Sequence, residues 1–480
     1  MRSLLISTYD LGRQPFGLAS PAAWLRRAGV EVTCVDTSRV ALHDQQIAAA
    51  DMIAFYLPMH TATRLAEPLI ARCRSVNPTA RLVAYGLYAP LNAAWLRERG
   101  VSDVIGPEAE EELVRIVNSQ LPTAIFQSAD PRASVQDSRA ARPSARPAAC
   151  SPQPTGSSIP RLAFIQPDRT SLPALTEYAS LQMPDGRRKI VGSTEASRGC
   201  KHLCRHCPIV PVYNGAFRVI PVDVVMQDVA AQVAAGAEHI SFGDPDFFNG
   251  PTHARRLVER LSAEFPQLTY DATIKIEHLL RHRELLPLLA ASGCLFVTSA
   301  VESVDDAVLA RLAKGHTAAD FEEAVALCRE AGLAIAPTFV AFTPWTTVES
   351  YLELLQTIAR LGLIEDVAPI QLAIRLLVTE GSRLLELTDI QRRVGAFDPA
   401  SLTFPWSHAD ATVDVLHREV MATVLSTAQA GRTASFSAIW ELAHRSAGRE
   451  APSMPHDVSR PAAYISEPWY CCAEPAEFHL

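Results

Sequence analysis

The chain lacks the long apolar run that a membrane-spanning helix requires, and no membrane partner is expected. It also lacks a basic excess: 44 Lys and Arg stand against 52 Asp and Glu, a formal net charge of −8. That balance argues against a nucleic-acid partner, which would call for a positive footprint. No secretory leader is legible at the start, because Met1-Arg-Ser-Leu-Leu-Ile-Ser-Thr-Tyr-Asp10 turns polar too soon. That stretch reads better as a first β-strand. Ten cysteines are scattered over 480 residues without the spacing of a disulfide framework, so a reducing, cytoplasmic setting is expected. What is present is 48% hydrophobic and 20% charged, the composition of a globular chain with room for two to four domains.

Three of the cysteines stand within eight residues, in Ala196-Ser-Arg-Gly-Cys-Lys-His-Leu-Cys-Arg-His-Cys-Pro208. Thiolates at Cys200, Cys204 and Cys207 on one tight loop can hold three irons of a [4Fe–4S] cluster and leave the fourth without a protein ligand. An open iron can bind a substrate or cofactor directly. The competing reading is a structural zinc, with His202 or His206 as fourth ligand. Zinc sites commonly use two separated ligand pairs, and no second pair lies nearby.

The Cys-x3-Cys-x2-Cys spacing resembles the signature of the radical S-adenosylmethionine (radical SAM) superfamily. The resemblance implies that the open iron chelates the methionine end of SAM. One electron then breaks a carbon–sulfur bond, and a reductant such as flavodoxin or ferredoxin supplies it. The superfamily often places an aromatic residue near the adenine just before the third cysteine; here that position is His206.

The fold class expected is α/β. Residues 1–118 alternate strands (4–7, 30–35, 52–57, 81–85, 103–105) with helices (21–28, 64–76), the pattern of a doubly wound parallel sheet. Pro15-Phe-Gly-Leu-Ala-Ser-Pro-Ala-Ala-Trp-Leu-Arg-Arg-Ala-Gly-Val-Glu-Val32 and Val104-Ile-Gly-Pro-Glu-Ala-Glu110 resemble the Rossmann-like cobalamin-binding domain that precedes many radical SAM cores. That family's Asp-x-His-x-x-Gly motif would start at Asp10, but Gly12 takes the His position. Its Gly-Gly pair, which gives the corrin tail room, is replaced by Tyr85-Gly86. A scaffold without cobalamin is therefore expected, although relatives that lack the His can still bind it. Residues 119–160, rich in Pro, Ser and Ala, read as a linker. Residues 161–386 carry the remaining alternation, with strands at 239–242, 268–274, 295–301, 333–342 and 370–378 after the one that leads into the cysteine loop. Six repeats match the (β/α)6 partial barrel of the superfamily. Residues 387–480 read as a helical region, clearest at 415–431, ending in a docking tail.

Three segments fall at ends of barrel strands, where parallel barrels place their chemistry. Ser241-Phe-Gly-Asp-Pro-Asp246 resembles the motif that receives the SAM amino group, which implies roles for Gly243 and Asp244. Val301-Glu-Ser303 resembles a Gly-x-Glu-Ser segment, which implies that Glu302 and Ser303 meet polar groups of SAM; an N-cap is the rival role for Ser303. Arg375, inside an apolar strand, needs an anion, either a carboxylate of SAM or substrate or a structural Asp or Glu. Lys275, Glu277 and His278 are further candidates for the same cavity. Cys34, Cys294 and Cys328 read as small buried hydrophobes.

Near the end, Cys471 and Cys472 are adjacent, a spacing at which disulfide geometry is strained. As free thiols they form a soft chelating pair. Pro468, Trp469, Tyr470 and Pro475 around them mark a segment that docks. The ending Cys-Cys-Ala-Glu-Pro resembles that of the CUAEP/CCAEP-tail radical SAM (seleno)protein group, and the chain is similar to radical SAM enzymes of arsinothricin biosynthesis. That likeness implies transfer of the 3-amino-3-carboxypropyl group of SAM to arsenite gripped by Cys471 and Cys472. The alternatives are a 5′-deoxyadenosyl-radical enzyme or a cobalamin-dependent methyltransferase acting on an organic substrate, and a zinc-binding scaffold without activity.

Overall fold

The computed structural model describes residues 1–120, 162–454 and 462–467. The first five strands, β1 (Arg2–Ser7), β2 (Glu31–Asp36), β3 (Met52–Tyr56), β4 (Arg81–Tyr85) and β5 (Asp103–Val104), form one parallel sheet in the order 2-1-3-4-5. Leu4 to Ile6 and Met52 to Phe55 are buried without alternation, because helices cover both faces of the sheet.

The first helix starts at Phe16, five residues before the expected start, and carries Pro21 inside it. Proline has no N–H for the carbonyl four residues back. That carbonyl, Gly17 O, instead accepts a hydrogen bond of 2.8 Å from the buried Tyr85 hydroxyl. A side chain from the end of β4 thus closes the gap that would otherwise break the helix. In helix His60–Val76 the buried stripe is Ala62, Ala66, Ile70 and Cys73, while Leu65, expected on that stripe, is exposed.

The stretch expected as linker, 119–160, lies almost wholly outside the described residues. Residues 162–179 return across the first sheet, where Asp168 N donates to Ala19 O and Arg26 pairs with Asp168. A second sheet follows. Its strands are β6 (Ser180–Gln182), β7 (Arg188–Thr194), β10 (His239–Phe242), β11 (Thr269–Thr273), β12 (Cys294–Glu302), β13 (Ala334–Phe339) and β14 (Tyr464–Ile465). The spatial order is 13-12-11-10-7-6-14. The five strands β7 and β10 to β13 are parallel and curl into a half-barrel with helices outside. β6 and β14 add an antiparallel edge. β8 (Ser197–Gly199) and β9 (Phe217–Val219) form a separate hairpin around the cysteine loop.

The expected sixth strand, 370–378, is not formed. Pro369–Leu372 is a 3-10 turn, and what remains is a single parallel bridge between Phe342 and Arg375. Pro369 starts the turn, and the Arg375 side chain is drawn toward Asp414 and Trp406. Helices Ala411–Ser426 and Arg432–Ser446 pack into the same core as the half-barrel: Val420, Phe436 and Ile439 share one buried cluster with Tyr351 and Leu355 of helix Val348–Arg360.

Candidate active site between the two sheets

The cysteine loop is held by its neighbours. Gly199, with φ +77°, ends β8, and a Cβ there would meet the Tyr213 ring at 2.4 Å and Ala216 O at 2.5 Å. Only glycine lets the chain fold back at that point. Asn249 Oδ1 accepts from Lys201 N (3.3 Å), Arg205 N donates to Leu312 O (2.9 Å), and the Arg205 guanidinium donates to Arg311 O (2.8 Å).

Cys200, Cys204 and Cys207 line one wall of a cavity of about 220 Å³. The ends of parallel barrel strands supply another wall: Ser193 to Glu195 after β7, Gly243 after β10, Lys275 after β11 and Glu302 on β12. The first sheet supplies the rest, with Asp10, Leu11 and Arg13 after β1, Tyr56 and Met59 at β3, and Leu87 and Tyr88 after β4. Both parallel sheets therefore turn their C-terminal edges to one space, where α/β folds bind ligands.

The sulfurs fit a cluster better than a single zinc. The one His/Cys/Asp/Glu group whose ligand atoms converge within 4.8 Å, among the described residues, is His202, Asp246 and His278, and the cysteines are not in it. Zinc–sulfur bonds of about 2.3 Å would draw tetrahedral sulfurs to about 3.8 Å apart. Nor are the histidines turned to the sulfurs: His202 Nε2 is 3.2 Å from His278 Nε2, and His206 Nε2 is 3.1 Å from Glu302 Oε1. Burial pushes the Cys200 thiol up to about 12 and raises Cys204 too. Buried thiols of this kind become thiolates when a metal binds them.

Glu302 has φ +70°, an uncommon backbone for a non-glycine residue, at a register shift between β12 and β13. Its buried carboxylate meets His206 and, at 3.2 Å, the Lys314 ammonium. Burial would raise the carboxyl, but Lys314 and His206 outweigh it and hold it down to about 2. His206 Nδ1 is buried with no hydrogen-bond partner among the described residues, a polar atom left for a ligand in the cavity wall. Gly243 faces the cavity; a Cβ there would meet only ordinary contacts, Arg13 Nη1 at 3.5 Å the nearest, so the packing itself does not require glycine.

Three of the expected SAM contacts have other roles. Both Asp244 oxygens are taken up by the cysteine hairpin, accepting from Ala196 N (2.9 Å) and Ser197 Oγ (2.5 Å). Burial pushes this carboxyl up to about 7. Asp244 anchors the hairpin and is not among the residues that line the cavity. Ser303 Oγ accepts from Asp305 N, Asp305 is the N-cap of helix Asp306–Leu312, and Ser303 does not line the cavity either. Arg375 binds Asp414 Oδ1 and Trp406 O, both at 2.8 Å, and stacks 3.7 Å from the centroid of the Trp406 ring. Its anion is the structural one, because the missing sixth strand turns its side chain to the C-terminal helices.

His278 is fully buried, with Nδ1 2.6 Å from Asp246 Oδ2 and Nε2 facing His202, whose Nδ1 is 3.5 Å from Glu277. These side chains form one buried polar cluster beside the cysteine loop, in which Asp246 Oδ2 and His278 Nδ1 make no hydrogen bond of good geometry. Burial would raise the Asp246 carboxyl, but His202 and His278 hold it down to about 2. Lys275 lines the cavity 3.6 Å from Glu277.

Sequence reasoning missed Lys314, Arg13 and the contribution of β3. Lys314 follows Ala313, a left-handed helix end at φ 54°, and reads in sequence as an ordinary basic C-terminus. Cys471 and Cys472 lie outside the described residues.

Tyr85 stands where a corrin tail was expected to need room, and it lines a cavity of about 140 Å³ together with Gly17, Pro21 and Tyr56. Tyr85 is buried and bonded to Gly17 O, and its ring centroid is 5.5 Å from that of Tyr56. A Cβ on Gly17 would lie 2.1 Å from the Tyr56 ring. The two rings crowd the seam between the first helix and the ends of β3 and β4, beside the cavity that both of them line.

Residues 194–363 match the family described as the radical SAM superfamily. Among curated proteins, the hopanoid C-3 methylase of Methylococcus capsulatus is 26% identical over 153 residues, 32% of this chain and 29% of that one. The ribosomal protein uS12 methylthiotransferase RimO of Desulfotalea psychrophila is 29% identical over 172 residues, 33% and 38%. The chain thus spans about a third of the length of these relatives. Among solved structures, the cobalamin-dependent SAM radical enzyme OxsB with aqua-cobalamin bound superposes with a TM-score of 0.64 at 14% identity, covering 89% of this chain and 67% of that one. The radical SAM methyltransferase TsrM from Kitasatospora setae, with cobalamin and a [4Fe–4S] cluster, gives 0.53 at 17% identity, with coverage of 75% and 70%. These likenesses share the architecture of two facing α/β units.

Proposed function

We propose that this chain, a member of the radical SAM superfamily through residues 194–363, cleaves SAM reductively and transfers its 3-amino-3-carboxypropyl group, without cobalamin, to trivalent arsenic held by thiolates. Cys200, Cys204 and Cys207 would hold a [4Fe–4S] cluster, which would supply the electron that breaks a carbon–sulfur bond of SAM. Around it, Lys275 and Arg13 present positive charge to a carboxylate, and His206 offers its unpartnered nitrogen. The Glu302–Lys314 pair keeps that wall rigid. The cavity is closed on the far side by Tyr56, Met59 and Tyr88, which limit water at a reactive centre. The observation that supports the cobalamin-free part is the Tyr85–Gly17 hydrogen bond, which holds the Tyr85 ring where a corrin tail would need room. The arsenic acceptor rests on the adjacent thiols Cys471 and Cys472, since trivalent arsenic prefers soft sulfur ligands.

Product analysis tests the transfer. Anaerobic reconstituted protein, given SAM, arsenite and a low-potential reductant such as flavodoxin, is expected to release methylthioadenosine. Release of 5′-deoxyadenosine or S-adenosylhomocysteine in its place would reject the reading. A separate equilibrium measurement tests the thiol grip. Changing both Cys471 and Cys472 to Ser is expected to weaken arsenite binding by at least about tenfold, or about 1.4 kcal/mol. Unchanged affinity discards the grip.

A second reading is favoured by the architecture shared with two cobalamin-binding enzymes: methyl transfer through cobalamin to an organic substrate. It requires the two tyrosine rings to swing out of the groove. Protein purified with added cobalamin would then carry the visible corrin spectrum.

A further inference from the structure

One side chain of the cysteine loop reaches past the thiols to the barrel wall. His202 stands between Cys200 and Cys204, and its Nε2 lies 3.5 Å from Asp246 Oδ2 and 3.2 Å from His278 Nε2. Asp246 follows β10, and His278 is in the first turn of helix Ile276–Arg281, which follows β11. One ligand atom from each of the three comes within 4.8 Å of the others. Asp246 and His278 are wholly buried. Asp246 Oδ1 is already occupied, accepting from Phe248 N at 3.1 Å, and this fixes the carboxylate with Oδ2 toward the two rings. Within ion-pair distance, among the described residues, Oδ2 meets only these imidazoles and no Lys or Arg. Oδ2 and His278 Nδ1 are 2.6 Å apart, yet neither makes a hydrogen bond of good geometry. Buried polar atoms are almost always paired, so two orphans at one spot mark a place for a ligand. On the outer side, His202 Nδ1 is 3.5 Å from Glu277 Oε2, while Arg281 holds Oε1 of the same carboxylate at 2.6 Å. A proton on Nδ1 then faces Glu277, which leaves the Nε2 lone pair directed at Asp246 and His278.

We propose that His202, Asp246 and His278 bind one divalent transition-metal ion, separate from the cluster, and that this ion ties the cysteine loop to the ends of β10 and β11. Two imidazoles and one carboxylate suit zinc, which the general order of affinities places above iron(II). Tetrahedral ligands at about 2.0–2.1 Å from a metal stand about 3.3 Å apart, and the gaps of 3.2 and 3.5 Å at His202 Nε2 bracket that value. The ion supplies the countercharge that the buried Asp246 carboxylate otherwise lacks. Of the three ligands His202 alone also lines the central cavity, so the ion belongs to the cavity wall and not to the space open to substrate. The site shares no ligand with the cluster, and both can be filled at once. It depends neither on the group transferred nor on the absence of cobalamin.

Zinc uptake by the intact, cluster-loaded protein tests it. Material reconstituted anaerobically with iron and sulfide, so that the three cysteines are occupied, is equilibrated with zinc alone and freed of loose metal. About one zinc per chain is expected beside the cluster iron. X-ray absorption at the zinc edge is expected to show nitrogen and oxygen ligands at about 2.0–2.1 Å, whereas a sulfur shell at about 2.3 Å would put the zinc on the cysteines and overturn the site. Glu277→Gln is expected to weaken zinc binding by about tenfold, as loss of an outer partner does. Asp246→Asn and His278→Gln, which remove ligands, are expected to exceed about a hundredfold, beyond that outer-partner range. The thermal midpoint of the native chain is expected to rise with added zinc and that of Asp246→Asn to stay, because an ion bound by the folded state alone stabilises it. Iron content and circular dichroism on the same samples separate a lost ligand from a misfolded chain. No zinc on the cluster-loaded protein, a native midpoint unmoved by zinc, or zinc retained by correctly folded ligand variants each overturns the proposal. None of these outcomes touches the test of SAM cleavage, so the two readings fail separately.

Discussion

Replacing Glu302 with alanine is expected to destabilise the half-barrel by about 3–5 kcal/mol, the cost of leaving a buried ion pair with one partner. The Lys314 ammonium is 3% exposed and has Glu302 Oε1 at 3.2 Å, and His206 meets the same oxygen. Removal of the carboxylate takes away the oxygen that both buried groups face. Glu302→Gln keeps the volume and one acceptor, so it is expected to lose less. The acid limb of a denaturation series separates electrostatics from packing. Because the folded carboxyl is held down to about 2, its stabilisation is fully present above the unfolded value near 4.5 and is lost as pH falls from there toward 2. In Glu302→Gln that acid-dependent loss is expected to disappear. Urea midpoints for the three proteins between pH 3 and pH 7 check this. Equal midpoints for native and Glu302→Ala chains at pH 7 would show that the pair carries no weight.

A comparable loss is expected at Arg198, two residues before the first cluster cysteine. Its guanidinium is 8% exposed and binds Glu110 of the first domain and Glu195 of the barrel, each at 2.8 Å. It also lies over the rings of Phe16 and Phe164. Arg198→Ala leaves two carboxylates without their countercharge, again about 3–5 kcal/mol, and it unties the cysteine hairpin from the first sheet. The double variant Arg198→Met/Glu110→Leu removes one carboxylate together with the guanidinium but leaves Glu195 without its countercharge, so it is expected to recover only part of that stability. Iron retained per chain after reconstitution gives the functional side. It is expected to fall in Arg198→Ala and to recover only in part in the double variant, because the apolar pair restores packing but not the directed contacts. If the single and double variants lose equal stability, charge burial is not the cause.

Among the site residues, those whose place in the cavity follows from local spacing were legible before any fold was known. The cysteines sit on one loop, so their grouping needs no distant partner, and Glu302 and Gly243 follow strands whose apolar runs mark them. Asp244 and Arg375 misled for the same physical reason. A buried charge declares that it needs a partner but not which one, and each found it in a nearby structural element. Lys314 was invisible because it meets Glu302 only after a helix and a left-handed turn bring it back.

Composition and periodicity alone indicated two α/β units and a cysteine loop at the end of a strand, and the resemblance to cobalamin-binding domains singled out Gly12 and Tyr85. Those are properties of neighbouring residues and of repeating apolar faces, which a linear chain displays. Folding alone revealed that the Tyr85 hydroxyl serves the carbonyl that Pro21 cannot use. It also revealed that Arg375 pairs with Asp414 where a sixth strand was expected, and that Glu467 comes to rest on Gly12. Each joins residues separated by tens to hundreds of positions, and such meetings depend on how the two sheets face each other, which no local pattern encodes.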